Sequence, residues 1–277
     1  MADNSSIKER YRFMKTLNKE ETAPLVSVIM PAYRCADTIS KAIDSALMQD
    51  VPLEIIVLND CSPDHLDTVM EQYRDEARVR YVKNEGNLGA SGSRNRGVQM
   101  ARGKYTAFLD ADDWWEDGKL KKQIALMERE KVVLCSTGRE LVTPDGRLTG
   151  RVIGVRERIT YSSLLLHNCI NCSSVLLLTE VAREFPMQHE DSHEDYIMWL
   201  SILKKYERAA AIDEPLLKYR LTASGKSGSK FRSAAMTFKV YRYVGFGFFS
   251  SCFWFCAYAV NGVRKYAKAY LERKKEN

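Results

Sequence analysis

Three carboxylates fall within the four residues Asp110-Ala111-Asp112-Asp113, directly after the apolar run Tyr105-Thr106-Ala107-Phe108-Leu109. In an extended chain side chains alternate, so Asp110 and Asp112 share a side. Like charges at that spacing are costly unless a cation lies between them. Carboxylates beside an oxygen-rich substrate suit Mg2+ or Mn2+. The competing reading is capping of a following helix, because acids favour first turns. It accounts for Asp113 and Glu116, but poorly for Asp110 and Asp112 on a strand end. A second acidic run, His189-Glu190-Asp191-Ser192-His193-Glu194-Asp195, contains His-Glu-x-x-His. Zinc hydrolases use that spacing with both imidazoles on one helix face. Here the run follows Phe185-Pro186 and is largely acidic, so it reads as a loop. Asp195 then enters a helix at Tyr196 as a general base, as an N-cap, or as both.

These residues need elements to position them. Leu25–Met30, Leu53–Leu58, Val79–Val82 and Tyr105–Leu109 read as strands. Between them, Ile39, Ile43, Ala46 and Leu47, then Leu66, Val69, Met70 and Tyr73, fall at helical spacing. Gly89 to Ala101 reads as a polar helix. Repeated β-α-β implies an α/β fold with a mostly parallel sheet and helices on both faces. Ligands of such sheets bind at the carboxyl ends of the strands. Those ends carry Pro31-Ala32-Tyr33, Asn59-Asp60, and the acidic cluster. Asp60 reads equally as a turn residue or as a partner for a nucleobase or ribose. Gly89 and its neighbouring glycines let backbone approach a ligand, or simply make turns. Arg94 and Arg96 reach phosphates or lie solvated. The second half is more mixed: Val132–Cys135 and Ser173–Leu178 are strand candidates, Pro144-Asp145-Gly146 a turn, and Tyr196–Tyr206 a helix.

The bulk composition, 45% hydrophobic and 28% charged over 277 residues, suits one large α/β domain with an appendage. Seven scattered cysteines read as free thiols in a reducing compartment, and the lone Cys169-x-x-Cys172 pair is a poor zinc site. The polar start Met1-Ala2-Asp3-Asn4 predicts no secretory leader. Residues 1–24 form a lead-in, 25–225 the main domain, and 226–277 a helical, aromatic and basic tail. From Pro215 onward the net charge is +11, against −5 for everything before it. Between Arg242 and Arg264 there is no charge at all, and Phe, Tyr and Trp dominate. Aromatic rings flanked by Arg and Lys favour a membrane interface, ahead of a buried helix and then a span.

Taken together, Val26-Ser27-Val28-Ile29-Met30-Pro31-Ala32-Tyr33, Ile56-Val57-Leu58-Asn59-Asp60, Asn87-Leu88-Gly89, Arg94-Asn95-Arg96-Gly97, Phe108-Leu109-Asp110-Ala111-Asp112-Asp113 and Glu194-Asp195-Tyr196 resemble glycosyltransferase family 2. The resemblance spans about residues 25–220 and implies an inverting enzyme of the GT-A fold. It implies that Pro31, Ala32, Tyr33 and Asp60 hold uracil and ribose, with Gly89 and Arg94 near the nucleotide. Asp110 would contact the nucleoside or donor sugar, and Asp112 would bind Mn2+ or Mg2+. Asp195 would be the base, with Glu194 and Trp199 near the acceptor. The chain departs from the family at Arg34, where Asn is frequent, and at Tyr219-Arg220-Leu221, which lacks a following His. Lys226 and Ser227 belong in this reading to a loop over the diphosphate. Processive synthases add membrane spans and a Gln-x-x-Arg-Trp segment, absent here, so single sugars are transferred. The expected partners are a UDP-sugar, a polyprenyl-diphosphate-linked saccharide and a membrane surface, with no nucleic acid. The expected location is cytoplasmic, peripheral on the inner face of the cell membrane. Two rivals remain, a metal-dependent nucleotidyltransferase and an inactive membrane-associated sugar-binding module.

Overall fold

The computed structural model describes residues 23–221 and 230–276. The expected lead-in and the Lys226–Ser227 loop lie outside those residues, apart from the lead-in's last two positions. The first half runs β1 (Val26–Ala32), α1 (Ile39–Leu47), β2 (Leu53–Asn59), α2 (Leu66–Met70), β3 (Val79–Lys83), α3 (Gly89–Met100) and β4 (Tyr105–Phe108). Its strands pair in the order β3-β2-β1-β4, all parallel, with Val28 beside both Ile55 and Ala107. β1 and β2 are covered on both faces, which is why they read as near-continuous apolar runs. Alternate residues feed two cores. Val28, Met30, Ile55 and Val57 meet α1, while Ile29, Ile56 and Leu58 face the opposite way.

The second half adds β5 (Trp114–Trp115), α4 (Lys119–Glu130), β6 (Leu134–Val142), β7 (Leu148–Ile153), β8 (Arg158–Thr160), α5 (Tyr161–Leu166), β9 (Leu176–Leu178), α6 (Thr179–Glu184), α7 (Glu194–Tyr206), β10 (Arg208–Arg220), α8 (Lys230–Tyr243) and α9 (Phe248–Glu276). The sheet continues from β4 through β9, β6 and β10 to β5, with β7 on β6 and β8 on β10. β9 is antiparallel to both neighbours, whereas β10 is parallel to β6. The strand expected from Ser173 is shorter. Cys172–Ser174 form a 3-10 turn, and pairing starts at Leu176.

Beyond residue 229 the chain returns to the core. Val240 and Tyr241 of α8 are fully buried, and Tyr241 Oη donates to Leu165 O at 2.7 Å. α9 has two faces. Trp254, Phe255 and Tyr258 pack inward, while Phe249 (87% exposed), Phe253 (65% exposed) and Val260 face outward. Their spacing of four and seven residues puts them on one stripe. Among the described residues no helix is long and apolar enough to cross a membrane.

Candidate active site

β4 stops at Phe108, so the acidic cluster is not an extended strand end. Asp113 N–H donates to Asp110 O at 3.0 Å, closing a tight turn. Strand alternation therefore does not set its geometry. Helix capping does not either, because the short strand β5 follows and α4 begins only after Gly118. The turn separates three acids into three situations. Asp110 Oδ1 receives Arg94 Nη2 at 2.5 Å, and its N–H donates to Ser173 Oγ at 3.1 Å. Asp113 is buried, and its Oδ1 accepts the Arg220 N–H at 2.9 Å. Its Oδ2 has no partner, and burial, with the charges of Asp112 and Asp110, pushes this carboxyl well above the usual range. Asp112 is half-buried; Arg220 Nε donates to its backbone O at 3.0 Å, but among the described residues no side chain donates to its carboxylate. Burial first, then the charge of Asp110, pushes it up to about 6.

This donor set suits a divalent ion that brings further ligands of its own. Among the described residues no group of three or more His, Cys, Asp and Glu side chains could hold a metal unaided. Mg2+ and Mn2+ do not require one. They keep several waters and are held by one or two carboxylates plus substrate phosphates. An uncommitted Asp112, whose ionised form is disfavoured until a cation arrives, fits that pattern. The two histidines are engaged elsewhere. His189 stacks on Tyr243 while the His193 ring faces Ser233 O at 3.4 Å, so the two imidazoles do not converge. Neither Cys169 nor Cys172 is in a disulfide, and nor are the other five cysteines.

Arg94 does not lie solvated. It is buried, 2.5 Å from Asp110 and 3.8 Å from Glu194 Oε1. Burial alone would lower its pKa, but its anionic surroundings, Asp110 foremost with Glu194 beyond it, raise it above the ordinary value. Arg96 is committed too, to Lys83 O and Asn84 Oδ1. One guanidinium thus ties the acidic turn to the first turn of α7. Glu194 and Asp195 are that turn's first two residues, where acids complement the helix dipole. Asp195 Oδ1 accepts its neighbour Tyr196 N–H at 2.7 Å. Burial, then the charge of Glu194, raises its pKa, while Arg94 and His193 pull the other way. Glu194 and Trp199 differ from exposed acceptor contacts. Glu194 faces Arg94, and Trp199 is fully buried against Phe108, its indole N–H without a partner.

On the opposite side, Asp60 is buried and donates its N–H to Ala32 O at 2.9 Å. Its Oδ1 accepts Leu88 N–H and Asn84 Nδ2, both at 2.7 Å. Asp60 therefore pins the 84–88 loop to the end of β1, where Pro31 and Ala32 complete the strand. Tyr33 is exposed, with Arg34 against its ring at 5.4 Å. Gly89 (φ 70°) has its missing Cβ position filled by the Glu190 carboxylate. The sequence places the loop beginning at Asn84 on the site rim but assigns no role to Asn84 or Ser173. Asn84 bridges Asp60 and Ser93, and Ser173 braces the acidic turn. No local pattern marks either, since their partners lie 9 to 63 residues away.

A parallel nucleotide-type half, an acidic turn beyond β4 and a carboxylate opening α7 make this a GT-A glycosyltransferase fold. The model for "Glycosyl transferase family 2" matches residues 27–176, and the chain belongs to that family. It is 36% identical over 245 residues to TuaG of Bacillus subtilis (strain 168), by its name a teichuronic acid biosynthesis glycosyltransferase. That match covers 87% of this chain and 97% of TuaG. It is 34% identical to WfaP of Escherichia coli, covering 90% of this chain and 98% of WfaP. WfaP is named a UDP-Glc:alpha-D-GlcNAc-diphosphoundecaprenol beta-1,3-glucosyltransferase. The S. aureus TarS 1–349 structure with UDP-GlcNAc shares the fold, at TM-score 0.67 and 18% identity, over 85% of this chain and 72% of that one.

Proposed function

We propose that this glycosyltransferase moves a single sugar, with inversion, from a UDP-sugar to a hydroxyl of a lipid-linked saccharide during surface-polysaccharide assembly. The observation carrying the proposal is the Arg94 bridge. It joins the acidic turn, at Asp110, to the residue next to Asp195, at 2.5 and 3.8 Å. One buried guanidinium that holds a donor-side acid and the neighbour of the base suits a direct displacement, because the reacting groups must share one geometry.

In this reading Asp60, with Pro31, Ala32 and Tyr33, holds the nucleoside, Gly89 and Arg94 lie near it, and Asp110 orients the donor. Asp112 holds Mn2+ or Mg2+, which supplies charge neutralisation for the leaving diphosphate. Asp195 takes the proton from the acceptor hydroxyl as that oxygen attacks the anomeric carbon. Burial and the charge of Glu194 raise the Asp195 pKa, which makes it a stronger base than an exposed aspartate. The nucleotide departs on the opposite face, so an α-linked donor yields a β-linked product. Glu194 and Trp199 support the acceptor side from beneath. Exposed Phe249 and Phe253, with the basic tail, suit a membrane interface where such an acceptor resides.

The test is UDP release across several UDP-sugars and metals with an α-GlcNAc-diphospholipid acceptor. Release that requires both acceptor and divalent ion is expected. A nucleotidyltransferase would instead release pyrophosphate from a nucleoside triphosphate. An inactive sugar-binding module would release nothing with any donor.

A further inference from the structure

The loop that ends at His193, two positions before Asp195, is gripped from both sides. From α3, Asn95 exchanges two hydrogen bonds with the Met187 backbone, at 2.7 and 2.9 Å, and Ser91 N–H donates to Glu190 Oε1 at 3.2 Å. From α8, Ser192 Oγ donates to Met236 O at 2.9 Å in a buried bond. Lys239 Nζ donates to Asp191 Oδ2 at 2.6 Å, and Tyr243 Oη lies 3.0 Å from the same oxygen. The Tyr243 ring also stacks on His189 at 3.7 Å, nearly parallel at 7°. His189 has φ 65°, in the left-handed region that a residue with a side chain enters only when its surroundings hold it there.

A lone Lys–Asp pair at the surface contributes little. Here the pair is one of several α8 contacts converging on five consecutive residues. Those residues lead straight into α7, whose N-cap His193 makes no side-chain capping bond. The first turn of α7 is also held by the 3.8 Å Arg94–Glu194 pair and by Tyr196, which is buried and donates its Oη to Leu164 O at 2.7 Å. Among the described residues the Asp195 carboxylate accepts a hydrogen bond from the adjacent N–H alone. The direction of its carboxylate therefore depends on the loop that delivers the chain to the helix from one side, with the Tyr196 anchor on the other.

We propose that Tyr243, together with Lys239, is a positioning residue for the transfer reaction. Through Asp191 and His189, α8 holds the loop in the conformation that aims Asp195 at the acceptor hydroxyl. This rests on Asp195 being the base. Tyr243 ends α8, just before the Gly245–Gly247 turn into α9. Support for the base thus comes from the helix pair that carries the exposed phenylalanines.

The experiment uses the full chain, UDP-glucose, Mn2+ and an α-GlcNAc-diphospholipid acceptor. Tyr243→Phe removes the hydroxyl and keeps the stack, Tyr243→Leu removes both, and Lys239→Met removes the ion pair. kcat is expected to fall about tenfold in Tyr243→Phe and up to about a hundredfold in Tyr243→Leu, the scale of a misplaced catalytic group. KM for UDP-glucose and calorimetric UDP affinity should stay within about twofold of the parent. Hydrogen exchange should quicken at residues 188–196 and nowhere else, and Lys239→Arg should restore what Lys239→Met loses. Unchanged kcat in Tyr243→Leu overturns the proposal. So does a loss matched by weaker UDP binding or by faster exchange throughout the molecule. Normal turnover in Asp195→Asn would instead remove the base assignment itself, whatever the Tyr243 variants do.

Discussion

Replacing Arg94 with Met keeps most of the side-chain volume and removes the guanidinium between Asp110 and Glu194. Arg94 is 7% exposed, Glu194 9% and Asp110 31%. Removing one member of a buried ion pair costs roughly 3–5 kcal/mol, because the partner's charge is left uncompensated. The exposed part of Asp110 is screened by water, and Glu194 sits at the long distance of 3.8 Å, so the lower end, about 3 kcal/mol, is expected. With a urea m-value of about 2–3 kcal/mol/M, the midpoint falls by roughly 1–1.5 M at constant slope. Adding Glu194→Gln should recover part of the loss by removing the unpaired carboxylate, and a double-mutant cycle measures that coupling. A midpoint shift below about 0.3 M, or no recovery in the double variant, would refute the claim that Arg94 bridges two charges.

Other outcomes follow from single contacts. Gly89→Ala should cost about 1–2 kcal/mol, since φ is 70° and the new Cβ meets the Glu190 carboxylate; urea denaturation reads it, and an unchanged midpoint counts against that contact. Lys119 is fully buried, and burial lowers its amine to about 7 from the ordinary 10.5. The unfolded chain therefore binds the extra proton between those values. Stability should rise with pH from 7 towards 10.5, by at most about 1.4 kcal/mol per pH unit. Lys119→Met should abolish that rise and be more stable than the parent at pH 7, as melts at pH 7 and 9 would show. Ser173→Ala removes the acceptor for Asp110 N–H and should lower stability by about 1 kcal/mol while weakening Mn2+-dependent UDP binding, measured by calorimetry.

What was legible in the sequence follows burial. β1 and β2 are covered on both faces, so they stand out as uninterrupted apolar runs. β10 does not, because Ala209-Ala210-Ala211 carries little bulk and its pairing with β6 shifts register between Ile212 and Leu217, across Glu214-Pro215. α8 belongs to a segment whose charge suggested a separate tail, yet Val240 and Tyr241 bury fully. The acidic cluster was visible for its composition, but its geometry comes from the Asp113–Asp110 turn rather than strand alternation. The roles of Arg94 and Gly89 were hidden because their partners, Glu194 and Glu190, lie about a hundred residues away. Asp60 read as either a turn residue or a ligand contact, and its bonds to Leu88 and Asn84 show the organising half of that pair.

The central claim is that Asp195 is the base of a UDP-sugar-dependent transfer. The direct measurement is turnover and UDP affinity of Asp195→Asn beside the parent, with UDP-glucose, Mn2+ and the α-GlcNAc-diphospholipid acceptor. Loss of a general base costs typically 10²–10⁴-fold, so turnover should fall by at least about a hundredfold while UDP binds as before. Turnover within about threefold of the parent would contradict the account.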